Sequence, residues 1–345
     1  MSPRIFILLI LVPALTAALA LPGCNQAPTG PAGGARPWSV RGITFADWSA
    51  RGYTRPAALA SMDQLADTGA TDIVLVVTAY QPDTSSNLLN QNDPRTPLRS
   101  TVRSALIRAR FTHGLDTALK PHVDVDSGAW RGLINPAEPE LWFSEYRAFV
   151  LPWAELAEEV GAVRFVVGTE LAGMLDHPEE WRRLIADVRK VFHGQLTYAA
   201  SWDEAGLVPF WDDLDLVGVD FYAPVTVRNN AGRFDMLRGW QDWLGRLRSL
   251  HERTGLPVLF TEIGYRSVDG AGMHPYRFGD QAPIDFEEQA DLYWAALQVV
   301  HDNEWLAGLY FWNWTTHAHA GADDTDFTPR GKPAEDVLRE SWGDP

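Results

Sequence analysis

The chain has 345 residues, of which 46% are hydrophobic and 21% are charged, a balance that suits a globular protein with a large core. Its formal net charge of -16 argues against a nucleic-acid partner, because binding to phosphate backbones needs a basic surface. At this length the chain fits either two ordinary domains or one large α/β barrel.

The first 23 residues are expected to form a signal peptide. Arg4 precedes the apolar run IFILLILVPALTAALA, which is short for a membrane span. The run leads into LPGC (21–24), which resembles the lipobox of bacterial lipoproteins, and this resemblance implies that Cys24 is lipidated. The alternative is an ordinary cleaved signal peptide with an incidental cysteine. We expect export across the inner membrane and a lipid anchor in the cell envelope, with Asn25 favouring the outer membrane.

Cys24 is the only cysteine in the chain, which excludes internal disulfides and catalysis by a cysteine. The segment that follows, residues 24–37, is rich in Pro, Gly and Ala and has no apolar periodicity. Such a composition predicts a flexible tether. The folded domain is therefore expected to span residues 38–345.

Strand-like and helix-like segments alternate through the rest of the chain. The apolar runs are nearly continuous, as expected for parallel strands that are covered on both faces. The eight predicted strands are residues 42–48, 72–80, 119–126, 164–170, 195–202, 215–222, 257–265 and 306–314. Helical patterns lie between them, and several end at a glycine, such as Gly114 and Gly255. This count predicts an α/β fold that consists of a single (β/α)8 TIM barrel.

Acidic and aromatic residues stand where the predicted strands end, which is where barrels of this kind place the active site. Glu170 ends the fourth strand and Glu262 lies near the end of the seventh, so the two side chains should face each other across the barrel mouth. Such a pair suits glycoside hydrolysis, in which one carboxyl group protonates the leaving oxygen and the other attacks the anomeric carbon. A single glutamate at this place is often a structural ion-pair partner, but a pair surrounded by aromatic residues favours catalysis.

Several short motifs occur in a fixed order along the chain. They are RGITFADW, LKPHVDV followed by WRGLI, VVGTEL, VGVDFY, FTEIGYRS, GLYFWNW and DFTPRGKPAEDVL. In this set the chain, from about residue 40 to about residue 342, resembles the clan A glycoside hydrolases and, within them, family 113, whose characterised members act on β-mannan. The resemblance implies a retaining enzyme with Glu170 as acid/base and Glu262 as nucleophile. Thr169 stands where many clan A enzymes have an asparagine that contacts the sugar 2-hydroxyl, which leaves the exact sugar open.

Other residues near strand ends are candidates for substrate binding. Flat, amphipathic tryptophan rings suit stacking on sugars. The stacking candidates are Trp130, Trp202 and Trp312. Tyr222 is expected to hydrogen-bond to Glu262, with a role as a core tyrosine as the alternative. Asp124 and His122 either line the floor of the cleft or form a satisfied buried pair, and Arg131 either belongs to the site or anchors its loop.

No metal and no cofactor are expected. His317 and His319 have a spacing that some metal sites use, but no other segment resembles a ligand set, so a loop or substrate role is favoured. The leading hypothesis is a lipid-anchored, monomeric, retaining β-glycosidase that cleaves β-mannan or a mannose-containing glycan. One alternative keeps this mechanism on another β-glycan or an exopolysaccharide. The other alternative is a non-catalytic glycan-binding lipoprotein, against which the presence of both glutamates weighs.

Overall fold

The structure is a computed structural model that describes residues 40–279, 281–317 and 323–343. The predicted signal peptide, the tether with Cys24, and His319 lie outside the described residues. Within the described ranges, no helix combines the length and the apolar character that crossing a membrane requires.

Eight parallel strands form a closed barrel in chain order. They are β1 Val40–Ala46, β2 Asp72–Gln81, β3 Asp116–Val125, β4 Arg164–Thr169, β5 Gln195–Ser201, β6 Leu216–Phe221, β7 Val258–Ile263 and β8 Leu306–Thr315. The first and last strands pair in parallel, from Val40 opposite Gly308 to Ala46 opposite Thr315, and this pairing closes the sheet. The (β/α)8 barrel predicted from the sequence is thereby confirmed.

Helices connect most of the strands. In the part of the chain that the structure describes, they are α1 Pro56–Ala66, α2 Arg99–His113, α3 Pro139–Val160, α4 Pro178–Val191, α5 Arg233–Thr254, α6 Phe286–His301 and α7 Pro333–Trp342. As expected, α2 and α5 end at Gly114 and Gly255, which take the left-handed conformation that glycine adopts without strain. Between β5 and β6 the chain makes two short 3-10 turns, Ala205–Leu207 and Trp211–Asp213, in place of an α-helix.

The core has two layers. The larger layer lies between the strands and the helices, and it buries Trp142, Trp181 and Trp240 completely. Many of the tryptophans are thus core residues, which leaves a few for the mouth of the barrel. The smaller layer lies near the N-terminal ends of the strands and consists of Val40, Val74, Ala118, Leu216, Leu259 and Tyr310. This apolar layer fills one end of the barrel, and the C-terminal ends of the strands lie at the other end.

Candidate active site

A cavity of about 710 Å³ lies at the C-terminal ends of the strands. It brings together most of the site residues that were predicted from the sequence. These are His122, Trp130, Glu170, Trp202, Tyr222, Glu262 and Trp312. The cavity therefore contains both glutamates and the three tryptophans proposed for stacking.

Glu262 lies in β7 and is 5% exposed. The hydroxyl of Tyr222, the first residue after β6, donates a hydrogen bond to Glu262 Oε2 at 2.8 Å, which is the contact expected from the sequence. The Nζ atom of Lys120 donates to Glu262 Oε1 at 2.6 Å, and His122 Nε2 lies 3.5 Å from the same oxygen. The hydrogen bonds from Tyr222 and Lys120 fix the orientation of the carboxylate.

Lys120 is a site residue that the sequence analysis missed. It is fully buried in β3, and its Nζ atom also donates to both carboxylate oxygens of Asp220, at 2.8 and 3.0 Å. The hydroxyl of Thr261 donates to Asp220 Oδ1 at 2.7 Å. Burial and the charge of Glu262 raise the pKa of Asp220, whereas the charge of Lys120 lowers it. The available signal was a lysine within the apolar run LKPHV, because a buried amine needs carboxylate partners.

Glu170 directly follows β4 and has a backbone φ of +50°. This left-handed conformation costs a non-glycine residue about 1–2 kcal/mol, and a backbone hydrogen bond from Glu170 N to Ala199 O at 2.8 Å supports it. Near the carboxylate, Trp130 Nε1 donates to Oε2 at 3.4 Å, and Arg131 Nη1 lies 3.7 Å from Oε2. Burial and the charge of Glu262 raise the pKa of Glu170, while Arg131 opposes them. A carboxyl group that keeps its proton in this way suits a general acid.

His122 and Asp124 do not have the same surroundings. His122 lies in the cavity, and its ring stacks on Trp312 with 6.0 Å between centroids and 10° between planes. Burial, Arg131 and Lys120 lower its pKa well below the ordinary range, so the imidazole is neutral. Its Nε2 atom has no hydrogen-bond partner among the described residues. Asp124 instead accepts a hydrogen bond from Arg131 Nη2 at 2.6 Å, and it is not among the described residues that line the cavity.

Arg131 takes both of the roles that the sequence left open. Its contact with Asp124 holds the short 3-10 turn Arg131–Leu133 against the end of β3. The same guanidinium faces Glu170 and lines the cavity. Anchoring the loop thus also places a positive charge beside the candidate acid/base.

The three predicted stacking residues differ in how firmly they are held. Trp130 is 43% exposed, whereas Trp202 packs edge-to-face on Trp243 with 5.0 Å between centroids. Trp312 is held between the His122 ring and the edge of Trp48, and the peptide bond that follows it is cis. Neighbouring aromatic rings thus hold Trp202 and Trp312 in place, while Trp130 is open to solvent. All of these rings present the flat apolar surface that suits a sugar.

Thr169 lies in β4 and does not replace the missing asparagine by its own hydroxyl. The Oγ1 atom donates to the carbonyl of Pro121 at 2.9 Å, and the residue is 1% exposed. Its hydrogen bond is thus made within the barrel wall. The Thr169 hydroxyl is therefore not available to a ligand in the cavity.

Loop residues that the sequence analysis did not name complete the cavity wall. They are Pro275, Tyr276 and Phe278 from the long loop between β7 and α6, together with Phe327 near the C-terminal end. Phe278 lines the cavity and is 81% exposed, so its ring lies at the rim of the cavity. The sequence carries no signal for which side chains of this loop turn inward.

Two groups outside the cavity could suggest metal binding. Carboxylate oxygens of Asp269, Asp285 and Glu288 lie within 4.8 Å of one another. However, Glu288 accepts two backbone N–H groups of the preceding loop, and Asp285 caps the N-terminus of α6, so both support the loop. His317 is exposed after β8, and its proposed partner His319 is outside the described residues. The structure therefore does not test that pair.

Solved structures with this fold include β-mannanases. The chain is 26% identical to a β-1,4-mannanase of glycoside hydrolase family 113, solved as a complex, with a TM-score of 0.82 over 89% of this chain and 100% of that chain. It is 27% identical to the family 113 β-mannanase AaManA from Alicyclobacillus acidocaldarius, with a TM-score of 0.81 over 88% and 97% of the two chains. A β-glucuronidase from Faecalibacterium prausnitzii, at 12% identity, shares the fold alone, with a TM-score of 0.59 over 88% of this chain and 49% of that chain.

No curated protein sequence matches the chain. The family model for Glycoside Hydrolase Family 113, in contrast, matches residues 43–332, a range that spans every strand from the middle of β1 to β8 and includes both glutamates. The resemblance found in the motifs is thereby confirmed. The chain belongs to glycoside hydrolase family 113.

Proposed function

We propose that this glycoside hydrolase is a retaining enzyme that cleaves β-1,4-linked mannan or a related mannose-containing glycan. The observation that carries the proposal is that two glutamates share one cavity but have different surroundings. Glu262 receives hydrogen bonds from an ammonium and a phenol, whereas burial raises the pKa of Glu170. Carboxyl groups in such unlike surroundings suit a nucleophile and a general acid. The choice of β-mannan is supported by the substrate of the similar family 113 enzymes.

In the first step, the ionised Glu262 attacks the anomeric carbon while Glu170 donates its proton to the glycosidic oxygen. A bond forms between a carboxylate oxygen and the anomeric carbon, and the bond to the leaving oxygen breaks. The leaving part of the glycan departs as an alcohol that carries the proton of Glu170.

In the second step, the ionised Glu170 takes a proton from water, and the resulting hydroxide attacks the anomeric carbon. The bond to Glu262 breaks, and the carboxylate recovers its negative charge. Lys120 and Tyr222 already donate to this carboxylate, so they stabilise the charge as it returns. Two inversions at the same carbon leave the configuration of the sugar unchanged.

The cavity also suggests how the sugar is held. Trp202 and Trp312 offer supported stacking surfaces near the two glutamates. His122 lies in the wall of the same cavity, and its buried Nε2 atom is 3.5 Å from Glu262 Oε1.

A panel of polysaccharides tests the proposal. The protein should release reducing ends from β-1,4-mannan faster than from cellulose, xylan or galactan, and NMR of the first products should show the β-anomer before mutarotation. Glu170→Gln and Glu262→Gln should bind mannan but release no reducing ends from it. Initial release of the α-anomer would contradict retention, and preference for another glycan would contradict the choice of substrate. Binding without release by the wild-type protein would favour the non-catalytic alternative.

We further propose that the enzyme works at the cell envelope, where a lipid on Cys24 anchors it to a membrane. The support is the LPGC sequence after a short apolar run. The Pro/Gly/Ala-rich residues 24–37 would let the barrel reach glycans at a distance from the membrane.

A further inference from the structure

Lys120 and Asp220 are an ion pair that substrate does not reach. Both side chains are 0% exposed, and neither residue is among the described residues that line the cavity. A buried charge is costly unless it is paired, and a fully buried ion pair often contributes little net stability. The position of this pair, directly behind Glu262, indicates a function in the reaction.

The three groups form a row with the ammonium in the middle. Lys120 Nζ lies 2.6 Å from Glu262 Oε1 and 2.8 Å from Asp220 Oδ1, and a third contact leads to the carbonyl of Thr261 at 3.4 Å. With the second oxygen of Asp220 at 3.0 Å, four acceptor atoms surround an ammonium that has three N–H groups, so none of its donors lacks a partner. Asp220 is in turn held by the Thr261 hydroxyl, and its backbone pairs with Glu262 across β6 and β7.

Other charged or titratable groups also surround Glu262. From β3, the neutral His122 lies 3.5 Å from Oε1; from β6, Tyr222 donates to Oε2; and Glu170 faces the same cavity from the end of β4. Arg131 is the other cation near the cavity, but it contacts Asp124 and lies nearer to Glu170. In the described ranges, Lys120 is thus the cation in direct contact with Glu262.

We propose that Lys120 and Asp220 are positioning residues: Lys120 supplies the buried positive charge that keeps Glu262 ionised, and Asp220 holds that charge in place. The proposal rests on the proposed function, in which Glu262 is the nucleophile. The ammonium offsets the cost of a charged, water-poor carboxylate before substrate arrives. The side chain of Asp220 makes no hydrogen bond to Glu262 in the described contacts; it accepts from Lys120 through both oxygens and so holds the ammonium in place.

Variants that remove either the positive charge of Lys120 or the negative charge of Asp220 test this proposal, because the two changes should affect the protonation of Glu262 differently. Lys120→Met takes away the cation, so Glu262 should take up a proton at a pH about one to three units higher. Asp220→Asn is the matched control, because it removes a contact of the same ammonium but takes away a negative charge. It should leave the protonation of Glu262 in place or move it to lower pH. Lys120→Arg keeps the charge and should stay within about half a pH unit of the wild type.

The measurement is a carboxyl-carbon NMR titration of protein labelled at the glutamate side chains, with the Glu262 signal assigned by its loss in Glu262→Gln. The acidic limb of the kcat/KM profile, measured on a mannan substrate, should move with this signal. If the titration of Glu262 is unchanged in Lys120→Met, the proposal is overturned. The proposal is also overturned if Glu262 takes up its proton at a higher pH in both Lys120→Met and Asp220→Asn. If Lys120→Met does not fold, Lys120→Arg provides the test. A titration of Glu262 that moves to higher pH in Lys120→Arg overturns the proposal, and an unchanged titration supports it. The NMR titration does not depend on turnover. It therefore tests the role of Lys120 even if the protein does not cleave mannan, and the failure of the proposed function can be told apart from the failure of this proposal.

Discussion

Replacing Tyr222 by phenylalanine removes one hydroxyl from the candidate site and keeps the aromatic ring. That hydroxyl donates to Glu262 Oε2 at 2.8 Å. In the second step of the proposed mechanism, the Glu262 carboxylate regains its negative charge as the glycosyl-enzyme breaks down. A hydrogen bond to a carboxylate strengthens as this charge returns, so its loss should slow the second step more than the first.

The size of the effect follows from the kind of hydrogen bond that is lost. A hydrogen bond to a charged group contributes about 1.5–3 kcal/mol, and each ~1.4 kcal/mol is a factor of ten in rate. Tyr222→Phe should therefore lower kcat by roughly 10- to 150-fold. The assay is stopped-flow cleavage of a dinitrophenyl β-mannoside, which needs no acid for its first step. A burst of dinitrophenol should appear, because the glycosyl-enzyme then accumulates.

Tyr310→Phe is the matched control. Its hydroxyl accepts a hydrogen bond from Arg164 Nη1 at 3.0 Å, so the same atom is removed beside another charged side chain. Tyr310 lies in the apolar layer at the closed end of the barrel, away from the cavity. This variant should lose thermal stability but keep kcat within about two-fold, since no charge develops there during the reaction. Equal loss of kcat in both variants, or an unchanged kcat in Tyr222→Phe, would refute the reasoning.

Three further outcomes are expected. Trp130→Ala and Trp202→Ala should raise KM on a long glycan more than on a short aryl glycoside, because each lost stacking contact costs on the order of 1 kcal/mol. Equal losses on both substrates with a lower melting temperature would indicate a structural role instead. Since Arg131 lowers the pKa of Glu170, Arg131→Gln should move the alkaline limb of the kcat/KM profile to higher pH, and a move to lower pH would contradict the acid/base assignment. Cys24→Ala should shift the protein from the membrane fraction to the soluble fraction with its activity intact. A wild-type protein that is already in the soluble fraction would contradict the lipid anchor.

The barrel was predictable because its strands are apolar along their whole length and end in acidic or aromatic residues. Periodicity does not define where a strand stops, so β4 and β6 end one residue before the predicted limits, at Thr169 and Phe221. The connection between β5 and β6 was also not predictable from the pattern. A (β/α)8 barrel predicts a helix there, but the chain makes two 3-10 turns instead.

The charges behind Glu262 could not be predicted from local sequence. Lys120 is separated by 100 residues from Asp220 and by 142 residues from Glu262, and only closure of the barrel brings them together. The contact between Asp124 and Arg131 spans seven residues, yet the sequence gives no turn geometry that would prefer it over a pair with His122. In both cases the residue types were visible, while the partner depended on tertiary structure.

The most direct test of the central claim, that Glu262 is the nucleophile and Glu170 the acid/base, is azide rescue of the two alanine variants on a dinitrophenyl β-mannoside. In Glu262→Ala, azide takes the place of the missing nucleophile and should give the α-mannosyl azide, with inverted configuration. In Glu170→Ala, the glycosyl-enzyme still forms, and azide should attack it to give the β-mannosyl azide, with retained configuration. Products of opposite configuration are the predicted result. The same anomer from both variants, or the reverse assignment, would contradict the account.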